Sequence, residues 1–165
     1  MTFNIYTLGC KLNFSESSDI ARQLKSLGFI QSNNPEVVII NSCAVTSMAV
    51  KKTRNLVARH HKKNPDSRIV VIGCYGALQA AEIAQWKGVT AVFGSADKTN
   101  VIPYLMGRSI PDTPDFVPAY SSGDRTRSFL KIQDGCDYHC TYCTVAKARG
   151  ASRSNSIDHV LQQLK

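Results

Sequence analysis

Three cysteines crowd one short stretch of this 165-residue chain: Cys136, Cys140 and Cys143, spaced Cys-x3-Cys-x2-Cys. Thiolates are the preferred ligands of iron–sulfur clusters, which normally take four of them. A three-thiolate loop can hold three irons of a 4Fe–4S cluster and leave the fourth open to another ligand, as catalytic zinc sites leave one position open. His139 beside Cys140 offers a Cys3His zinc site instead, although adjacent residues rarely both reach one tetrahedral ion. The remaining cysteines, Cys10, Cys43 and Cys74, are far apart in sequence.

The elements that position these residues are legible as alternating apolar runs and amphipathic stretches. Thr2 to Leu8, Glu36 to Asn41, Arg68 to Gly73 and Val89 to Phe93 read as strands, the middle two carrying continuous β-branched runs of the kind buried on both faces. Helices are expected at about Ser15 to Leu27, from Thr46 or Ser47 to Lys63, at Gly76 to Trp86, and at about Asp97 to Met106 with Pro103 inside it. Strands alternating with helices predict an α/β fold with a mostly parallel sheet covered on both faces. Ligands in such sheets sit at the carboxyl ends of the strands. Cys10, Cys43 and Cys74 each fall within a few residues of such an end, one βα repeat apart. The periodicity therefore brings three distant cysteines to one edge of the sheet, as a second three-cysteine site. Each cysteine alone is equally readable as a small buried residue; three at equivalent positions favour a shared metal or cluster.

Beyond the sheet, Gly107 to Asp124 is rich in Pro, Ser and Gly and reads as a linker. Ser128 to Gln133 reads as a strand feeding the Cys136 loop, and Ser156 to Lys165 as an amphipathic helix with Ile157, Val160, Leu161 and Leu164 on one side. The domains expected are thus 1–106, a linker over 107–124, and a second unit begun at 125–165.

Bulk composition narrows the class. At 43% hydrophobic the chain can build one core. Its start lacks a signal-peptide pattern, and no run of apolar residues is long enough to span a bilayer, so cytoplasm is the expected compartment and no membrane partner is expected. Six cysteines there read as ligands more readily than as disulfides, although a disulfide framework is the alternative for short secreted chains. A formal net charge of +8 suits a polyanionic partner and equally suits a basic surface. Lys51, Lys52, Arg54, Arg59, Lys62 and Lys63 all lie on the second helix, either as a solvated face or as phosphate contacts.

With both cysteine sets placed, the chain resembles the methylthiotransferases, a branch of the radical S-adenosylmethionine enzymes. The matching motifs are Thr-Leu-Gly-Cys10-Lys-Leu-Asn13-x-x-Glu16-Ser17, Ile-Asn41-Ser-Cys43-Ala-Val and Ile-Gly-Cys74-Tyr. They continue in Asp-Gly-Cys136-Asp-Tyr-His-Cys140-Thr-Tyr142-Cys143 and Ala-Arg149-Gly150-x-Ser-Arg153-Ser. One departure is Ala146, where the family usually has proline. The resemblance implies a radical 4Fe–4S cluster on Cys136, Cys140 and Cys143 that binds S-adenosylmethionine, with Tyr142 packed against its adenine. It implies an auxiliary 4Fe–4S cluster on Cys10, Cys43 and Cys74 that carries the sulfur to be inserted. Within the family the chain looks most like the branch that modifies carbon 2 of N6-threonylcarbamoyladenosine, beside the anticodon of tRNA. Sibling branches act on isopentenyladenosine in tRNA or on a ribosomal protein aspartate, and a non-catalytic iron–sulfur or zinc-binding domain is the alternative in another class. The implied partners are the tRNA anticodon stem-loop and an electron donor such as flavodoxin or ferredoxin. Arg149 and Arg153, which border the cysteine loop, are the expected RNA contacts. A complete (β/α) barrel needs at least ~200 residues. Residues 125–165 are therefore expected to be the first strand, loop and helix of an incomplete barrel, and the chain is read as a fragment or truncated pseudo-enzyme, inactive alone.

Overall fold

The runs Val37-Val38-Ile39-Ile40 and Ile69-Val70-Val71-Ile72 form the centre of the molecule, and all eight side chains are inaccessible to solvent. The computed structural model describes residues 1–110, 118–121 and 127–163. Its main sheet is parallel and contains β1 (Thr2–Thr7), β2 (Ile30–Gln31), β3 (Val37–Ser42), β4 (Arg68–Gly73) and β5 (Val89–Phe93), in the order β2-β1-β3-β4-β5. Alternate side chains of a strand point to opposite faces. Phe3, Val37, Ile39, Val70 and Ile72 accordingly meet α1 (Lys11–Ser26) and α5 (Val101–Leu105) on one side. Val38, Ile40, Ile69 and Val71 meet Val57 of α2 (Ser47–Lys63) and Ile83 of α4 (Ala80–Ala84) on the other.

The chain leaves β1 toward β2 over one face, then returns past β1 to build β3, β4 and β5 over the opposite face. That reversal makes a topological switch point between β1 and β3, and the strand order is that of flavodoxin-like sheets. The parallel sheet expected from the sequence is therefore present, with β2 as an additional two-residue edge.

Several helices differ from expectation for local reasons. α1 begins at Lys11, because Cys10 takes an extended conformation and serves as its N-cap; Ser15 lies inside the helix. Thr46 caps α2, its hydroxyl accepting from the Ala49 amide at 3.2 Å. The stretch Gly76 to Trp86 is broken at Gln79, whose non-helical φ/ψ separates α3 (Cys74–Leu78) from α4. Lys98–Asn100 forms a 3-10 turn before α5, which leaves Pro103 in the first turn, where a missing amide hydrogen is tolerated.

The expected strand Ser128 to Gln133 is two short strands with different partners. β7 (Leu130–Lys131) pairs antiparallel with β6 (Ala119–Tyr120), and β8 (Gln133–Asp134) pairs antiparallel with β9 (Arg153–Ser154). β6 lies within the expected linker yet docks on α1: the Arg22 guanidinium stacks 3.6 Å from the Tyr120 ring centre and donates to the Tyr120 carbonyl at 2.8 Å. Of that linker, 111–117 and 122–124 lie outside the described residues. Between β8 and β9 comes α6 (Val145–Arg149), which packs against α3. The last helix, α7 (Ile157–Gln162), buries no side chain, and Leu164 lies outside the described residues. Among the described residues no helix is long and apolar enough to cross a membrane.

Candidate metal centre

Register aligns three cysteine-bearing turns. Thr7 lies opposite Asn41, and Ser42 lies opposite Gly73, so β1, β3 and β4 end at one level. Cys43 follows β3 directly, Cys74 follows β4 directly, and Cys10 follows β1 after Leu8 and Gly9. Cys10 and Cys43 flank the switch point, and Cys74 is one strand further along. Gly9 is required there twice over. Its φ is +100°, and a Cβ would lie 2.6 Å from the Cys43 Cβ and 2.8 Å from its Sγ. Gly73 is similar: φ is +96°, and a Cβ would lie 2.5 Å from the Asn41 side-chain oxygen. Asn13, fully buried at the start of α1, ties two turns together by donating to the carbonyls of Leu8 (2.8 Å) and Ser42 (3.0 Å). The Ser95 hydroxyl lies 3.4 Å from the Cys74 sulfur. A cleft lined by Thr7, Gly9, Cys10, Lys11, Phe14 and Phe129 opens beside Cys10.

The second set lies in the loop between β8 and α6. The Cys136 amide donates to the Gly150 carbonyl (3.1 Å) and the Cys143 amide to the Cys140 carbonyl (3.1 Å), which closes the loop on itself. All six cysteines are free thiols; Cys43 and Cys74 are buried, Cys10 and Cys140 exposed, Cys136 and Cys143 half-buried. Among the described residues no three His, Cys, Asp or Glu side chains gather around one point as a single ion requires. A multi-iron cluster instead takes one thiolate per iron, and three soft thiol donors on separate turns of one sheet edge fit that demand.

Between the two sets lies a buried charge cluster. Glu16 of α1 accepts from Lys98, from Lys131 at 2.8 Å and from Arg149 at 3.3 Å; Asp134 accepts from Lys131 at 2.8 Å and from Arg149 at 2.7 Å. The other Arg149 nitrogen donates to the Asn13 side-chain oxygen at 2.7 Å. Burial alone would raise the Glu16 carboxyl, but Lys98, Lys131 and Arg149 outweigh it and hold the group below the ordinary carboxylate range. The same balance of burial against Lys131 and Arg149 holds Asp134 at about 2. Burial opposes charge on Arg149, and Glu16, Cys74 and Asp134 more than offset it, so the guanidinium stays charged.

The chain's expected site residues fall in different settings. Tyr142 is 89% exposed at the tip of its loop, and His139 is also exposed. Arg149, expected as an RNA contact, is 4% exposed and bound to Glu16, Asp134 and Asn13. Arg153 is half-buried, 3.8 Å from the Asp134 carboxylate, with its NH2 nitrogen donating to the Arg149 carbonyl at 3.1 Å. Sequence reading missed Lys98, Lys131 and Asp134, and gave Asn13 and Glu16 no role. A signal existed: Asn13 and Glu16 continue the helical stripe of Ile20 and Leu24, and polar groups on an inward stripe must be paired.

The sequence pattern of uncharacterized protein family UPF0004 matches residues 2–94, which is the whole five-stranded sheet with its three strand-end cysteines. The chain belongs to this family. The similar curated relatives include methylthiotransferases. Over 98% of its length the chain is 35% identical to the threonylcarbamoyladenosine tRNA methylthiotransferase of Bacillus subtilis, covering 40% of that protein. Over its full length it is 29% identical to the ribosomal protein uS12 methylthiotransferase of Carboxydothermus hydrogenoformans, covering 41%. Over 99% it is 27% identical to the tRNA-2-methylthio-N(6)-dimethylallyladenosine synthase of Aquifex aeolicus, covering 42%. The chain thus spans about 40% of the length of the curated relatives it matches.

Proposed function

We propose that the chain is the cluster-bearing amino-terminal portion of a methylthiotransferase that inserts sulfur and a methyl group at carbon 2 of N6-threonylcarbamoyladenosine beside the tRNA anticodon. The observation that carries this reading is the level alignment of the Cys10, Cys43 and Cys74 turns at the carboxyl edge of a sheet whose relatives are methylthiotransferases. Cys10, Cys43 and Cys74 would hold one 4Fe–4S cluster, and Cys136, Cys140 and Cys143 a second with S-adenosylmethionine at its open iron. Bound there, these groups supply radical hydrogen abstraction and the transferred sulfur and methyl. The chain's own residues do the positioning. Gly9 makes room for the Cys43 thiol, Asn13 fixes two of the turns, and the cleft beside Cys10 offers the approach to that edge. Tyr142, exposed on its loop, is available to cover an adenine face. Arg153, exposed in part, is the RNA contact that this reading retains. An electron donor of the flavodoxin or ferredoxin kind and a cytoplasmic location belong to the same reading.

Anaerobic reconstitution tests the cluster part: about eight irons and eight sulfides per chain are expected, and one zinc without a brown chromophore refutes it. Nucleoside mass spectrometry on tRNA from cells lacking the gene tests the substrate. The 2-methylthio form of N6-threonylcarbamoyladenosine should vanish while that of isopentenyladenosine persists; the opposite pattern, or no change, refutes the assignment. The isolated 165-residue chain is expected to make no methylthio product in vitro.

A further inference from the structure

We propose that Arg149 is a positioning residue that sets the separation of the two three-cysteine sites, acting through Asn13 and Glu16. The inference rests on the two-cluster reading above and adds to it the part that fixes the geometry between the clusters. Arg149 ends the short helix that follows Cys143, and that helix packs against α3, whose first residue is Cys74. Its two terminal nitrogens together span the joint. One binds Asp134 of its own loop and Glu16 of α1; the other binds Asn13 of α1. Asn13 in turn donates to the carbonyls of Leu8 and Ser42, which immediately precede Gly9-Cys10 and Cys43. A single buried relay therefore runs from the end of the second cysteine loop, through one guanidinium and one amide, to two of the three turns of the first set.

The loop is also held by the packing of α6 on α3, by the Lys131–Asp134 pair and by the Ser152 amide donating to Asp137, but the Arg149 side chain alone among these contacts reaches Asn13. The loop's flanking ladders are two residues long on each strand, and pairs of that size are marginal by themselves. The planar guanidinium can engage Asp134, Glu16 and Asn13 together, whereas the ammonium of lysine acts as a point charge on a flexible stem. Transfer between two sites demands placement within a fraction of an ångström, which locked side chains provide.

The test uses the anaerobically reconstituted chain with Arg149→Met, Arg149→Lys and Asn13→Ala. Magnetic coupling between two reduced clusters depends steeply on their separation and is read from the electron paramagnetic resonance line shape. Each variant should keep its irons and lose or broaden the coupled spectrum, with Arg149→Lys intermediate because it keeps charge and loses the fork. A coupled spectrum superimposable on wild type in Arg149→Met overturns the proposal. Failure of the wild-type chain to bind two clusters counts against the two-cluster reading and leaves Arg149 to a second measurement. In the metal-free chain, Arg149→Met should speed amide exchange at Cys136 and Gly150 by about tenfold or more, with Val38–Ile40 and Val70–Ile72 unchanged. Equal exchange at the loop, or equal loss of protection in the core strands, overturns the proposal.

Discussion

Glu16→Gln removes one charge and almost no volume, so it isolates the electrostatics of the joint between the two cysteine sets. Glu16 faces Lys98, Lys131 and Arg149. In its absence Lys131 and Arg149 keep Asp134, but among the described residues Lys98 has no other carboxylate within ion-pair distance. Losing one partner of a buried ion pair costs about 3–5 kcal/mol, a large part of the ~5–15 kcal/mol that holds a domain together. With a urea slope of about 2 kcal/mol per molar, the midpoint should fall by about 1.5–2.5 M at unchanged slope. The chain's one tryptophan, Trp86, lies tilted beside Tyr75 on the far side of the sheet, ring centres 6.0 Å apart, and reports the transition from outside the joint. The deficit should shrink as pH rises above neutrality. Lys98 is already held below its ordinary pKa by burial, and a lysine with a lower pKa folded than unfolded gains stability with rising pH across that window. A midpoint shift under about 0.5 M at pH 7 would refute the view that Glu16 anchors the cluster.

Acid should attack the same joint. Asp134 is held at about 2 against an ordinary 3.8, so its contribution, no more than about 2–3 kcal/mol, is complete above about pH 5 and lost as pH falls through 2. Asp134→Asn should flatten the acid limb of a thermal-melt series; identical limbs would contradict the pairing. Gly9→Ala forces a methyl group into the Cys43 side chain, so alkylation of Cys43 in the metal-free chain should speed several-fold, and an unchanged rate would mean the turn has room to spare. Gly73→Ala strains a left-handed residue against the Asn41 side chain and should cost more than about 1 kcal/mol in urea unfolding; no loss would show that the turn can relax.

The sheet was legible because its evidence is local. Val37–Ile40 and Ile69–Ile72 are unbroken β-branched runs, and the strand-end places of Cys10, Cys43 and Cys74 follow from repeat length alone. The two-residue β2 was not, since Ile30-Gln31 carries no run and owes its strand geometry to pairing with Thr2 and Phe3. Neither was the break at Gln79, which shows as a change of backbone angles in a stretch of helix-compatible residues. The charge cluster was least legible. Arg149 sits in a basic stretch that reads as surface, and its partners Glu16 and Asn13 are 133 and 136 residues away. Burial of a charged group is decided by such distant partners, and a single sequence does not display them.

Iron counting on half-site variants tests the central claim most directly. If Cys10, Cys43 and Cys74 hold one cluster and Cys136, Cys140 and Cys143 another, replacing all three of either set with alanine should leave about four irons and four sulfides per chain. Loss of all iron from one triple variant, or none from either, would contradict two independent three-thiolate sites.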